Sequence, residues 1–215
     1  MGEWSLVIGN KNYSSWSLRA WLPLKQLGQP FQEIRLPLDT PEFAGQIALY
    51  SPAGRVPVLR HGSLIIWDSL AIAEYLAETF PTAHLWPINQ ESRAIARAVS
   101  AEMHAGFADL RQALPMDCRA RRSDVRISVA VQRDIARILQ IWQECRRQYG
   151  QGGDYLFGSF TLADAMYAPV VSRFQTYGVK LEGIAAAYAE AVLGIPAVQE
   201  WMVAAAAEAE TLVTV

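Results

Sequence analysis

Strand-type runs crowd into the first 80 residues, and beyond residue 92 apolar residues recur only at helical spacing. A chain patterned this way must close a small mixed sheet early and draw the rest of its core from helices. Leu6–Ile8 and Phe31–Leu36 read as strands. Between them Ser17–Leu27 places Ala20, Trp21, Leu24 and Leu27 at helical spacing and ends at Gly28 and Pro30, completing a β-α-β unit. Pro41–Leu49 reads as a short helix. Pro57–Arg60 and Leu64–Trp67, joined by His61-Gly62-Ser63, read as a hairpin, and Ser69–Phe80 as a third helix. The expected fold class is therefore an α/β N-terminal domain over residues 1–80 with the order β-α-β-α-β-β-α. A linker over 81–91 follows, then an all-α C-terminal helical domain over 92–215. In that half Ile95, Val99, Met103, Phe107, Leu110 and Leu114 recur every three or four residues. A second series runs from Ile127 to Cys145, and Thr161–Tyr177 and Pro196–Ala207 are further helices.

Composition removes several function classes. The net charge of −2 creates no overall field for nucleic acid or anionic lipid, so neither nucleic acid nor membrane is expected as a partner. Eight arginines against three acidic residues leave +5 over residues 119–147, balanced by −5 over 148–215. These arginines fall off the apolar series and read as the solvated back of a core helix. The longest apolar stretches, Ile184–Ala189 and Val203–Ala207, are too short for a membrane span. Two cysteines make no disulfide framework and the N-terminus lacks a signal-peptide pattern, so a cytoplasmic location is the expectation. Cys145 lies on the apolar series and reads as a core residue, while Cys118, near Arg119 and Arg121, reads as exposed and oxidisable. Three histidines without i, i+4 spacing, and cysteines without neighbouring ligands, predict no metal. Nucleotide-binding and hydrolase signatures are missing as well.

Three short segments remain as candidates for chemistry. Tyr13-Ser14-Ser15-Trp16-Ser17-Leu18-Arg19 lies where the first strand hands over to the first helix. Its hydroxyls either cap the helix or present a donor to a thiolate or phosphate at the dipole's positive end. Val56-Pro57 opens the third strand. A proline there is an edge device, or in cis it turns the Val56 backbone toward an extended, peptide-like ligand. Asp68-Ser69 marks the turn from strand into helix. The pair is a cap, or an acid and a hydroxyl that take an ammonium and a carboxylate.

Taken together on that element order, Ser14, Val56-Pro57 and Asp68-Ser69 resemble the soluble glutathione transferase family, whose N-terminal domain is thioredoxin-like. Phe160-Thr161-Leu162-Ala163-Asp164 is similar to that family's capping-box segment, with Thr161 as N-cap and Asp164 at N3. The resemblance spans the chain. It implies Ser14 as the catalytic hydroxyl, five residues before Arg19, and glutathione as co-substrate. Arg55, Val56, Pro57, Asp68 and Ser69 would hold that tripeptide, Pro57 in cis, Arg55 on the glycyl end and the acid-hydroxyl pair on the γ-glutamyl end. Met103, His104 and Phe107 would face a hydrophobic electrophile, and the assembly would be a homodimer. Ser14-Ser15-Trp16 is also like the Ser-Ser-Cys of the zeta class, which isomerises maleylacetoacetate, with Trp16 in the cysteine's place. Conjugation of an electrophile, glutathione-dependent isomerisation and ligand binding without turnover are the three readings this resemblance leaves. No cysteine lies in the N-terminal domain, so a reactive sulfur must arrive with the co-substrate.

Overall fold

The computed structural model describes residues 2–212. Four strands form one sheet in the order β2-β1-β3-β4: β1 (Trp4–Ile8), β2 (Gln32–Arg35), β3 (Val58–His61) and β4 (Leu64–Trp67). β1 runs parallel to β2, with Val7 opposite Ile34, and antiparallel to β3, with Val7 opposite Val58. The parallel pair needs a crossover, which is supplied by α1 (Ser15–Gln26). A short α2 (Phe43–Ile47) and α3 (Ser69–Thr79) complete the expected order.

Among the described residues the remainder is helical: α4 (Gln90–Ala105), α5 (Ala108–Ala113), α6 (Val129–Tyr149), α7 (Leu162–Thr176), α8 (Gly183–Leu193) and α9 (Pro196–Ala207). No described helix is long and apolar enough to cross a membrane. One continuous core joins both parts, from Leu6, Ile8 and Leu18 to Trp142, Phe174 and Trp201. Its axis is α7, which packs on α1, α4 and α8 and is buried at almost every position. The capping box at its start is formed: Asp164 accepts the Thr161 N–H at 2.8 Å and the Leu156 N–H at 3.0 Å.

In its elements and core the structure departs from the sequence-based expectations at four places. The apolar series from Ile95 to Leu114 is broken, because Phe107 adopts φ +59° and α4 stops at Gly106. A Cβ on Gly106 would meet the Glu102 carbonyl oxygen at 2.7 Å, so only glycine accommodates this turn. α8 is an additional helix, unmarked in the sequence because its Ala-rich segment has no polar face. Arg119, Arg121, Arg122 and Arg126 precede α6 rather than forming its back. Arg121, Arg122 and Arg126 are exposed there as expected of a solvated group, whereas Arg119 donates to Tyr13 Oη and to the carbonyls of Glu208 and Glu210. Finally Cys118 is buried rather than exposed and oxidisable. Its Sγ sits 3.7 Å from the Lys11 carbonyl and 3.6 Å from Ser172 Oγ, and burial pushes the thiol up to about 11. Native protein at pH 8 should leave both cysteines unlabelled by a maleimide, with labelling appearing only in denaturant; fast native labelling would contradict this packing.

Candidate functional site

The β1–α1 loop is held on all sides. Tyr13 N–H and Ser14 N–H both donate to the Asn10 carbonyl, and Asn10 Oδ1 accepts the Leu38 N–H. The Glu208 carboxylate takes the N–H groups of Lys11 at 2.7 Å and Asn12 at 3.0 Å, and the Asn12 side chain bonds Asp117. Ser14 is thereby delivered as the N-cap of α1. Its Oγ accepts the Ser17 N–H at 3.3 Å and lies 2.7 Å from Ser17 Oγ, which itself accepts the Gly9 N–H. When Ser17 donates its hydroxyl proton to Ser14, the Ser14 proton remains free to donate to a further acceptor.

Val56-Pro57 is a cis peptide at the entrance to β3. Asp68 caps α3, its Oδ1 accepting the Leu70 N–H at 2.8 Å, while its backbone sits at φ +45° and ψ 154°. Such a conformation costs on the order of 1–3 kcal/mol in a non-glycine residue and collects at ligand sites. It faces Asp68 toward the helical part of the chain: Asp68 Oδ2 is 3.3 Å from His104 Nε2 at the end of α4. Ser69 follows as the first residue of α3, and its Oγ is buried with no partner among the described residues.

These groups surround a cavity of about 440 Å³ lined by Trp16, Ala53, Arg55, Val56, Pro57, Trp67, Asp68, Ser69 and His104. The volume and the mix of aromatic walls with a few convergent polar groups suit a small peptide-like ligand. Arg55 is exposed at its edge. Ser14, only 5 % exposed, does not line it directly; its neighbour Trp16 does. Met103 and Phe107 are absent from the cavity walls because both are core residues, Met103 completely enclosed. Of the three residues expected on the electrophile side, His104 alone reaches the cavity.

In sequence Trp16 stands out only as an unusual third member of Ser14-Ser15-Trp16. In the fold its indole meets His104 edge-on at 5.2 Å, with the guanidiniums of Arg19 and Arg111 over the ring at 4.5 and 4.7 Å. Arg111 is tied to the end of α4, donating to the carbonyls of Met103 and His104. The sequence carries a signal for one more member of this group. Arg173 is the one cation in α7, and the structure buries it with its Nη2 donating to Ser15 Oγ at 3.3 Å. Among the described residues no three His, Cys, Asp or Glu side chains gather as a metal site.

A mixed four-stranded sheet whose third strand starts on a cis-proline, with a hydroxyl at the first helix and an acid-hydroxyl pair at the third, backed by a helical domain, defines a thioredoxin-like domain joined to a helical one. The family profiles for the glutathione S-transferase N-terminal and C-terminal domains match residues 13–79 and 128–204. The chain belongs to the glutathione S-transferase family. It is 27% identical over 169 residues to maleylacetoacetate isomerase of Rattus norvegicus, covering 78% of this chain and 76% of that one. Several further relatives match over less than half of their own length. A glutathione transferase homolog from Burkholderia gl BGR1, solved with bound glutathione, superposes with a TM-score of 0.71 at 25% identity, covering 94% of this chain and 98% of the other. The zeta-class maleyl pyruvate isomerase, a bacterial glutathione S-transferase, superposes with a TM-score of 0.73 at 22% identity over 97% of this chain and all of that one.

Proposed function

We propose that this chain binds glutathione in the cavity between β3, α3 and the end of α4, and activates its thiol for attack on a hydrophobic electrophile. The observation that carries this reading is the cavity itself. It gathers Arg55, Val56, Pro57, Asp68 and Ser69 in its lining and leaves the Ser69 hydroxyl buried without a partner among the described residues. A γ-glutamyl carboxylate would meet that hydroxyl and the N–H groups opening α3, and its ammonium would meet the Asp68 carboxylate. The Val56 backbone would pair with the cysteinyl amide, and Arg55 would reach the glycyl carboxylate. Bound in this way, the sulfur would lie toward the N-terminus of α1 and the Ser14 hydroxyl. There the thiol gives its proton to water, and the hydroxyl and helix N–H groups stabilise the sulfur anion. Of the remaining lining residues, Trp16, Trp67 and His104 would contact the electrophile, taking the place expected for Met103 and Phe107.

Glutathione-dependent cis–trans isomerisation is the second reading, favoured by the similarity to the rat maleylacetoacetate isomerase. In it the thiolate adds to the alkene, rotation occurs about the resulting single bond, and the sulfur leaves again, so glutathione is recycled. Retention on immobilised glutathione, followed by turnover assays with aromatic halides, epoxides and maleylacetoacetate analogues, separates the readings. Stable conjugates support the transferase; isomerised product with glutathione unconsumed supports the isomerase. Retention without turnover of any substrate would make the chain a binding module, and failure to bind glutathione would remove the reading altogether. Asp68→Ala should weaken glutathione binding by about tenfold or more, the loss of one charge-assisted contact; unchanged affinity by calorimetry would exclude Asp68 from the site.

A homodimer and a cytoplasmic location belong to the same proposal. The exposed Leu64, Ile65 and Trp67 on β4, next to the cavity, and Leu49 after α2 supply apolar surface for a second copy. Light scattering that returns a monomer mass at micromolar concentration would overturn the dimer.

A further inference from the structure

Three arginines converge behind the cavity with no carboxylate at ion-pair distance from any of them among the described residues. Arg19 and Arg173 are almost completely buried and Arg111 half so, and none takes part in an ion pair among the described residues. Arg19 Nη1, Arg111 Nε, and both Nε and Nη1 of Arg173 have no hydrogen-bond partner among the described residues. Removing guanidiniums from water without a counter-charge is among the costliest arrangements a protein can hold, and like charges around it add to the cost. Burial first and the neighbouring Arg111 next hold Arg173 down to about 10, against the opposing pull of Tyr177 and Cys118. Arg19 is likewise held well below the usual arginine value, by burial first and by Arg173 and Arg111 next, with Tyr167 and Asp68 opposing. The Trp16 ring and the carbonyls of Met166, Met103 and His104 take up part of this charge, but no anion among the described residues neutralises it.

The hydrogen bonds indicate where that anion belongs. Arg173 Nη2 donates to Ser15 Oγ, so the Ser15 oxygen is occupied as an acceptor while its own proton has no acceptor among the described residues. Ser15 is also the first residue of α1, where the dipole is positive. Ser14 next to it is partly committed to Ser17. We propose that Arg173, acting through the Ser15 hydroxyl, holds the sulfur of bound glutathione as its thiolate, with Arg19 and Arg111 contributing to the same field. The step is an ionisation only: the S–H bond breaks, its proton passes to bulk water and the electron pair stays on sulfur. Arg173 is thus a positioning residue supplied from the core of the helical part, and Ser15 a second donor beside Ser14. This inference rests on the glutathione reading above.

The test is a titration of the thiolate absorbance of bound glutathione in wild type, Ser15→Ala, Arg173→Met, Arg173→Lys and the Ser15→Ala/Arg173→Met pair. The expected result is a midpoint raised by about one pH unit or more in Ser15→Ala and Arg173→Met, a tenfold smaller thiolate fraction below both midpoints. The paired variant should move it no further, and Arg173→Lys should recover part of the shift. Affinity for glutathione below both midpoints, where the protonated thiol binds, should be little changed, and above the free thiol's own midpoint it should fall about tenfold. Thermal unfolding supplies a second readout: a purely structural Arg173 predicts a lower melting temperature in Arg173→Met, whereas loss of a buried cation without a counter-anion predicts an equal or higher one. A midpoint unmoved in folded Arg173→Met, or in Ser15→Ala should the former not fold, overturns the inference while leaving glutathione binding intact. Wild type that does not bind glutathione overturns the functional reading instead, and this one with it.

Discussion

Replacing Ser14 by alanine should lower conjugation or isomerisation about 10- to 100-fold near neutral pH while changing glutathione affinity by less than about threefold. The size follows from a single hydrogen bond to a charged acceptor, worth about 1.5–3 kcal/mol, or one to two units on the thiol's pKa at about 1.4 kcal/mol per unit. Ser14 also caps α1, so the same change should remove about 1 kcal/mol of stability and lower the melting temperature by about 2–4 °C. Ser14→Thr keeps both the cap and the hydroxyl and should restore most of the rate, which separates chemistry from folding. The decisive measurement is the pH dependence of kcat/KM, whose acid limb should move to higher pH in Ser14→Ala. A profile that superimposes on wild type would remove Ser14 from the mechanism.

The largest stability effect should come from Asp164→Ala. The carboxylate is fully enclosed and accepts the backbone N–H of Leu156 and of Thr161 together with the Thr161 hydroxyl. Each buried donor left unpaired costs about 1–3 kcal/mol, so a loss of roughly 3–5 kcal/mol is expected against a total of about 5–15. Urea unfolding should show the midpoint falling with little change in slope. A loss below about 1 kcal/mol would mean that water reaches these groups. Burial also pushes folded Asp164 up to about 6, with the Leu156 and Thr161 hydrogen bonds opposing, against 3.8 as the ordinary value. Since the folded form holds the proton more tightly, this group's contribution is complete below about pH 4 and is lost as pH rises through 6. Asp164→Asn, which cannot ionise, should lack that loss, about 1 kcal/mol between pH 5 and 7.

The N-terminal part is legible in sequence because each of its elements is short, single-typed and punctuated. Gly28 and Pro30 end α1, and His61-Gly62-Ser63 turns β3 into β4, so period and turn chemistry agree. The helical part resists such reading where periodicity continues through a break. Val99, Met103, Phe107 and Leu110 are all buried, although the chain turns between the second and third of them; facing a common core keeps the spacing while the helix axis changes. α8 escapes for the opposite reason: its Ala-rich run, Ile184–Ala189, has helical propensity but almost no amphipathic contrast. Among the candidate site residues, those adjacent in sequence are readable as pairs, Val56-Pro57 and Asp68-Ser69. The grouping of Trp16 with Arg19, Arg111 and Arg173 is not, since it depends on α1, α5 and α7 meeting in space across more than 150 positions of chain. What sequence does retain of it is the anomaly of a cation in the buried helix.

The tie between Glu208 and the amides of Lys11 and Asn12 has a consequence for how this chain matures. Translation proceeds from the N-terminus, so the sheet and α1 are synthesised long before residue 208 emerges. Until it does, the turn leading into Ser14 lacks the carboxylate that satisfies two of its amides, and Trp201 is not yet there to donate its indole N–H to the Lys11 carbonyl. A nascent or C-terminally clipped chain therefore carries its entire sheet with an unfinished loop at the head of α1. A segment that leaves the ribosome 197 positions later is the one that closes it.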